Sequence, residues 1–382
     1  GPEGWVSYKP WPKKLIKDLE LEDEILGSND HLRRTFIVRD GRLTKLPEGM
    51  AFLAPVDPIS FWKEAPMSVR GKLRASFEPF VSKSSGELSI GAFFERRLGS
   101  EFTETFVDPL VSAIYGADLG KLSMPVTMPE LYRVEQRTGS LWKGLRKLAK
   151  MTLSNSVLLS MKDGMSSLIS RLENELQDVR IHLGVKDIRC ERQDQKFGVV
   201  TDGQRGTYEQ VAVCTPAHAA GRILSESLPS LSALLSEVPY ASTSLVYLAY
   251  KREEFSHPLD GFGFIVPSGE ALAVDACTWV STKFDQRCPP DRVLLRCAIH
   301  DRRRGGIPDS DEAIVEAVDS SIRSILGVSC HPVLGRVYHV RGVIPQLYVG
   351  HERRVGAIRS ALGNHPGLYL AGSYYGGVGL PE

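Results

Sequence analysis

The sequence predicts an α+β fold built from discontinuous domains. Three observations lead there. Residues from about Pro47 to Leu153 read as helices punctuated by prolines, residues Ser242 to Ile299 are rich in strands, and the closing segment alternates strand and helix. The start and the end of the chain are each too short to bury a core alone, so they are expected to share one domain. At 382 residues the chain can hold two or three domains with sizeable cores.

The elements follow in order. "KKLIKDLELEDEIL" sets Leu15, Ile16, Leu19, Ile25 and Leu26 at helical spacing. In "RRTFIVRDGRLTKLP", Phe36, Ile37 and Val38 favour strand. Asp40-Gly41 is a hairpin signal, because a type I′ turn needs φ > 0 at both central positions. Alternation places Arg34, Phe36 and Val38 on one face. "MAFLAPVDPISFW" is unusually apolar, and "RGKLRASFEPFVSK" interleaves basic and aromatic residues. That mixture suits core helices, and equally a surface lying against lipid. "MKDGMSSLISRLENEL" predicts a helix with Leu168, Leu172 and Leu176 on one stripe, and "VRIHLGVKDIRCER" a strand and turn. Two or three strands follow around an Asp202-Gly203 turn, and Pro216 opens a helix. "DEAIVEAVDSSIRSIL" is amphipathic at helical period.

Composition narrows the function classes. The 47 basic and 46 acidic residues nearly cancel, so no global field attracts nucleic acid. Cys190, Cys214, Cys277, Cys288, Cys297 and Cys330 form no C-x-x-C pair, and the nine histidines show no ligand spacing. Reduced thiols and no metal site are expected. No apolar run is long enough to cross a bilayer, and "GPEGWVSYKP" has neither the basic nor the apolar region of a signal peptide.

No G-x-S-x-G, P-loop or metal motif occurs, so a cofactor is expected to carry any chemistry. The closing "GLYLAGSYYGGVGLPE" reads as a strand entering a glycine-rich turn. Gly372, Gly376, Gly377 and Gly379 allow a ligand to approach the backbone, and a helix starting near Leu380 would offer free N–H groups. A structural turn after a buried strand is the plainer account of the same residues.

Read together, "GPEGWVSYKPWPKKLIKDLELEDEIL", "RRTFIVRDGRLTKLP", "LSMPVTMPELYRVEQRTGSLWKGL", "GFGFIVPS", "IPQLYVGHERRV" and "GLYLAGSYYGGVGLPE" resemble the protoporphyrinogen oxidase family in order and spacing. That family lies within the flavin amine-oxidase superfamily, and "EQVAVCTPAHAA" resembles the superfamily's strand-then-proline segment. The resemblance spans nearly the whole chain. It implies an α/β FAD-binding core of the amine-oxidase (GR2) type, a mixed-sheet substrate domain and a helical membrane-binding domain. In residues, these are 1–30 with 162–210 and 340–382, then 31–47 with 211–339, then 48–161. It implies oxidation of protoporphyrinogen IX to protoporphyrin IX with O₂ in haem biosynthesis. Coproporphyrinogen III oxidation, a flavin-less porphyrin-binding remnant and an amine oxidase stand as alternatives. Peripheral membrane contact and a homodimer are implied partners. The implied location is the cytoplasmic face of a bacterial inner membrane, or the mitochondrial inner membrane or plastid of a eukaryote.

The resemblance also implies residue roles. The flavin does the chemistry, so no catalytic side chain is required. Arg34 matches a carboxylate-binding arginine, a task that suits a planar guanidinium. Ile265 matches an aliphatic residue against the substrate ring, and Thr278 and Ala298 fall where larger apolar residues are usual. Gly1, Pro2, Glu3 and Gly4 match a flavin-contacting turn, Val185 an adenine-side position, and His339 an aromatic near the flavin. Gly377, Val378, Gly379 and Leu380 match the turn at the flavin ring. Two departures stand out. Glu3 replaces a basic or amide residue, and an acid there would repel the anionic reduced flavin. The family's opening G-x-G-x-x-G and its last helix have no match in this sequence, so weak FAD binding is expected.

Overall fold

The computed structural model describes residues 3–7, 9–47, 50–51, 53–149, 158–193, 196–300, 308–377 and 379. The predicted site residues Gly1, Pro2, Val378 and Leu380 lie outside them.

The chain opens with β1 (Trp5–Val6), helix α1 (Pro10–Asp18) and β2 (Ile25–Gly27). Helical spacing had extended the first helix through Leu26. The helix ends at Asp18 instead, because Glu20 takes φ +56° and turns the chain, so Ile25 and Leu26 enter a strand. The hairpin β3 (Thr35–Arg39) and β4 (Arg42–Lys45) forms as expected, with Asp40 at φ +51° and Gly41 at φ +68°. A short pair, β5 (Met50–Ala51) and β6 (Ala54–Pro55), follows.

Helices then dominate: α2 (Pro58–Glu64), α3 (Val69–Ser76), α4 (Ile90–Leu98), α5 (Ser100–Phe102), α6 (Asp108–Tyr115), α7 (Met124–Thr127), α8 (Pro129–Thr138) and α9 (Leu141–Ala149). Side-chain caps start several of them. Asp57, Ser68 and Ser89 side chains accept from Ile59, Gly71 and Ala92 N–H groups that the helix leaves unpaired. Phe61, Phe93, Phe94 and Phe102 fill the core. Arg97 is fully buried between Glu78 (3.3 Å) and Glu135 (3.1 Å). Glu78 also accepts from the Leu141 N–H, capping α9. On the outside, Ile59, Trp62, Val69, Leu73, Phe77 and Phe80 are exposed, Phe80 to 84%. Among the described residues no helix is long and apolar enough to cross a membrane.

Next come β7 (Leu158–Met161), α10 (Ser166–Glu175), the antiparallel β8 (Arg189–Gln193), β9 (Lys196–Thr201) and β10 (Gln204–Tyr208), then β11 (Val211–Val213), α11 (Ala217–Leu224) and α12 (Pro229–Ser236). β7 runs between β1 and β2. The strand predicted within "VRIHLGVKDIRCER" begins only at Arg189; the residues before it make no ladder, and Leu183 is exposed.

The last third holds β12 (Tyr240–Lys251), β13 (Gly263–Ile265), β14 (Ala276–Trp279), α13 (Val280–Lys283), β15 (Arg292–His300), α14 (Asp311–Leu326), β16 (Leu334–Pro345), α15 (His351–Gly363) and β17 (Leu368–Leu370). A seven-stranded mixed sheet runs β16-β12-β15-β14-β13-β3-β4. One face, with Val246, Leu248, Phe264, Cys277, Trp279, Leu295 and Cys297, packs on Ile314, Val318 and Ile322 of α14. β11 pairs in parallel with β17, and α11 and α12 share a core with Ile358 of α15. Residues 211–235 therefore group with the closing segment, not with the substrate sheet as the domain boundaries drawn from sequence had them. A parallel pair needs a long crossover connection, and the intervening sheet supplies it.

Candidate functional site

Period-two alternation puts the second face of the large sheet opposite α14. Two cross-strand rows define it. Thr35, Gly263, Thr278, Arg296, Tyr247 and Arg336 stand opposite one another in succession. Beside them run Ile37, Ile265, Ala276, Ala298, Leu245 and Tyr338. The structure thus brings Ile265, Thr278 and Ala298 onto one face, where a mostly apolar row runs beside a row bearing Arg296 and Arg336. Gly263 is required in its row: with φ +137°, an added Cβ would lie 1.9 Å from the Cys277 carbonyl oxygen of the neighbouring strand.

The turn at the chain's start reaches this face. Glu3 Oε2 accepts from Lys283 Nζ at 2.6 Å and from an Arg296 guanidinium nitrogen at 3.3 Å. The same nitrogen lies 3.4 Å from Thr278 Oγ1. The three charged side chains are only 16%, 14% and 21% exposed. Burial works against the charged form of Glu3. Arg296, Lys283 and Arg287 outweigh it and hold the carboxyl below its usual range. The concern that Glu3 would present bare negative charge is answered by two cations on one carboxylate. The turn is also pinned from behind: the Glu3 carbonyl accepts from Ser160 Oγ at 2.6 Å, and a Cβ on Gly4 would lie 2.1 Å from the Leu159 carbonyl oxygen. Only glycine permits that approach to β7.

Other predicted residues lie elsewhere. Arg34 precedes β3 and pairs with Asp260 at 3.0 Å on the surface. His339 points to the α14 side, where its ring nitrogens sit 2.9 Å from Ser244 Oγ and 2.9 Å from Asp311 Oδ1. Val185 is half-buried in the irregular stretch near the β9–β10 turn, where Lys186 N–H meets Asp202. None of the three joins Ile265, Thr278 and Ala298 on their face.

The glycine-rich turn stands at the carboxyl ends of the parallel β11 and β17, beside the exposed Cys214. His351, on α15, donates from Nε2 to the Tyr374 carbonyl at 2.7 Å and anchors the turn. Gly372 is needed by packing, since a Cβ would meet the Tyr374 ring at 2.5 Å. Gly376 is not: a Cβ there would meet nothing within 4 Å among the described residues. Gly377 is half-buried, and Gly379 is exposed.

Sequence reasoning missed Lys283, Arg296, Arg336 and Tyr338. Arg296 carries a readable signal, a charged residue in the strand-like run "RVLLRCAIH", though alternation alone does not say which face is wet.

The coproporphyrinogen III oxidase of Bacillus subtilis (strain 168) is 28% identical over 394 residues, covering 100% of this chain and 83% of that relative. The chloroplastic protoporphyrinogen oxidase of Oryza sativa subsp. japonica is 27% identical over 414 residues, covering 99% and 75%. A crystal structure from Exiguobacterium sp. 255-15 assigned to protoporphyrinogen oxidase superposes with a TM-score of 0.87 at 27% identity, over 100% of this chain and 84% of that one. Reduced UDP-galactopyranose mutase shares the fold at TM-score 0.70 and 13% identity, over 98% and 79%. The family model for flavin containing amine oxidoreductases matches residues 4–381. This chain therefore belongs to the flavin containing amine oxidoreductase family and is an oxidoreductase with that family's fold.

Proposed function

We propose that this protein oxidises a porphyrinogen to its porphyrin, holding its flavin as FAD and passing the electrons to O₂. The observation that carries the reading is the sheet face on which Ile265, Thr278 and Ala298 meet, joined through Arg296 to the Glu3 turn. Protoporphyrinogen IX was the first expectation from sequence. Bacterial relatives named coproporphyrinogen III oxidase, at 28% identity over the whole chain, support coproporphyrinogen III instead.

The residues present fit a flavin ring. The backbone at Gly376 is uncovered among the described residues, and Glu3 and Gly4 form a turn pinned to β7 beside a surplus of positive charge. When bound, the flavin supplies a hydride acceptor for a methylene bridge of the porphyrinogen. The chain's own part is binding and orientation. Ile265, Ala276 and Ala298 offer an apolar floor for the macrocycle, and arginines around it suit propionates. Arg34 could join them only by leaving Asp260. The exposed Trp62, Phe77 and Phe80, with Lys72 and Arg70 nearby in sequence, support peripheral contact with a lipid surface. A cytoplasmic membrane face in a bacterium is the matching location.

The test is direct. The flavin-loaded protein is mixed in air with freshly reduced coproporphyrinogen III, and porphyrin fluorescence is followed. Porphyrin should form faster than by spontaneous oxidation, and the gain should vanish without O₂. No gain in rate, together with no porphyrin bound, overturns the proposal.

A further inference from the structure

We propose that Arg336 is the residue that selects a substrate bearing carboxylates on opposite edges of its ring. This deepens the porphyrinogen reading and rests on it. Arg336 stands in the row of Thr278, Arg296 and Tyr247, on the face that carries Ile265 and Ala298. Two strand spacings separate it from Arg296, about 10 Å. Between the two guanidiniums the floor is Tyr247, with Leu245 and Ala298 in the adjoining row. A flat apolar macrocycle laid there would have a cation beneath each of two opposite edges.

The orientation of Arg336 suits the task. Its guanidinium lies over the Tyr338 ring, 5.1 Å from the centroid, and Tyr338 in turn packs edge-on against Tyr247 at 5.8 Å. Stacking uses the flat face of the guanidinium and leaves its N–H edge open to grip a carboxylate with two hydrogen bonds. Among the described residues no carboxylate pairs with Arg336, and its side chain is exposed. Arg296, by contrast, is already held by Glu3, so the two cations are not equivalent.

Coproporphyrin and protoporphyrin differ in the way this arrangement would sense. Coproporphyrin III carries four propionates spread around the ring. Protoporphyrin IX carries two, side by side, with vinyl groups in place of the others. One arginine serves the edge that both share; the second gains a partner only from the tetracarboxylate.

The experiment measures binding of the stable porphyrins to the 382-residue chain by fluorescence titration, with no turnover required. Arg336→Gln should weaken coproporphyrin III about tenfold, as expected for one charge-assisted contact, and change protoporphyrin IX less than twofold. Arg336→Lys should recover part of the loss, since it keeps the charge but not the fork. The tetramethyl ester of coproporphyrin should bind the wild type and Arg336→Gln alike. Equal losses for both porphyrins, or no loss for coproporphyrin III, overturn the role of Arg336 while leaving the porphyrin reading in place. A wild-type chain that binds neither porphyrin overturns both.

Discussion

Replacing Glu3 by Gln tests the joint between the opening turn and the seven-stranded sheet. The carboxylate holds Lys283 and Arg296 through charge-assisted contacts at 2.6 and 3.3 Å, and all three side chains are about four-fifths buried or more. The amide keeps the shape but removes the negative charge, leaving two cations facing one another. Charged hydrogen bonds contribute roughly 1.5–3 kcal/mol, and breaking a fully buried pair costs about 3–5 kcal/mol. For this partly exposed site a loss of about 2–3 kcal/mol follows. At roughly 2.1 cal/mol/K per residue, a chain of 382 residues changes Tm by about 1 °C per kcal/mol, so the fall is ~3 °C. The pH dependence is the sharper readout. Glu3 is held below its usual carboxyl range in the folded protein, so the unfolded state takes up its proton first as pH falls. Its stabilisation is full above the ordinary carboxyl value of 4.5 and drains away as pH falls through the lower folded value. Melting curves recorded by circular dichroism from pH 8 down to pH 3.5 should show the gap between wild type and variant closing only at the acid end. An equal gap at every pH, or none at pH 7, would refute the argument that this carboxylate is ionised and paired.

Two other outcomes follow from the helical region. Arg97→Met strands Glu78 and Glu135, both fully buried, without their shared cation, and should cost about 3–5 kcal/mol, seen as a Tm lower by roughly 4–6 °C; a change under 1 °C would mean the carboxyls are content without it. Phe80→Ser removes a side chain that is 84% exposed, so the melting temperature should hold while partition onto anionic phosphatidylglycerol vesicles falls about tenfold, the worth of one buried aromatic ring. Unchanged vesicle binding in a co-sedimentation assay would place lipid contact elsewhere.

Local rules made much of this protein legible from its residues. Asp40-Gly41 specifies its own turn because the pair tolerates positive φ, and the hairpin formed as read. Pro216 opens a helix, and the amphipathic run 311–326 is one helix, because capping and periodicity act within a few residues. The first helix was overextended for the same reason: helical spacing cannot see that Glu20 turns the chain and that Ile25 finds a partner in Met161. The candidate site divides along this line. Ile265, Thr278 and Ala298 come from the family resemblance rather than from any local rule, and the glycines of the closing turn stand out by type. Which residues share a face, however, depends on register between strands far apart in sequence, and shifting one strand by a residue would send its side chains to the α14 side. That register put His339 with Ser244 and Asp311, set Arg34 beside Asp260, and lined up Arg296 with Arg336 across Tyr247. The residues alone specify most of the local elements, the family resemblance and the glycine-rich closing turn. Which cations reach that face, and that two of them hold Glu3, cannot be read from the residues, because charge partners are chosen by proximity in space, and proximity here is made by pairing across as many as 293 residues of chain.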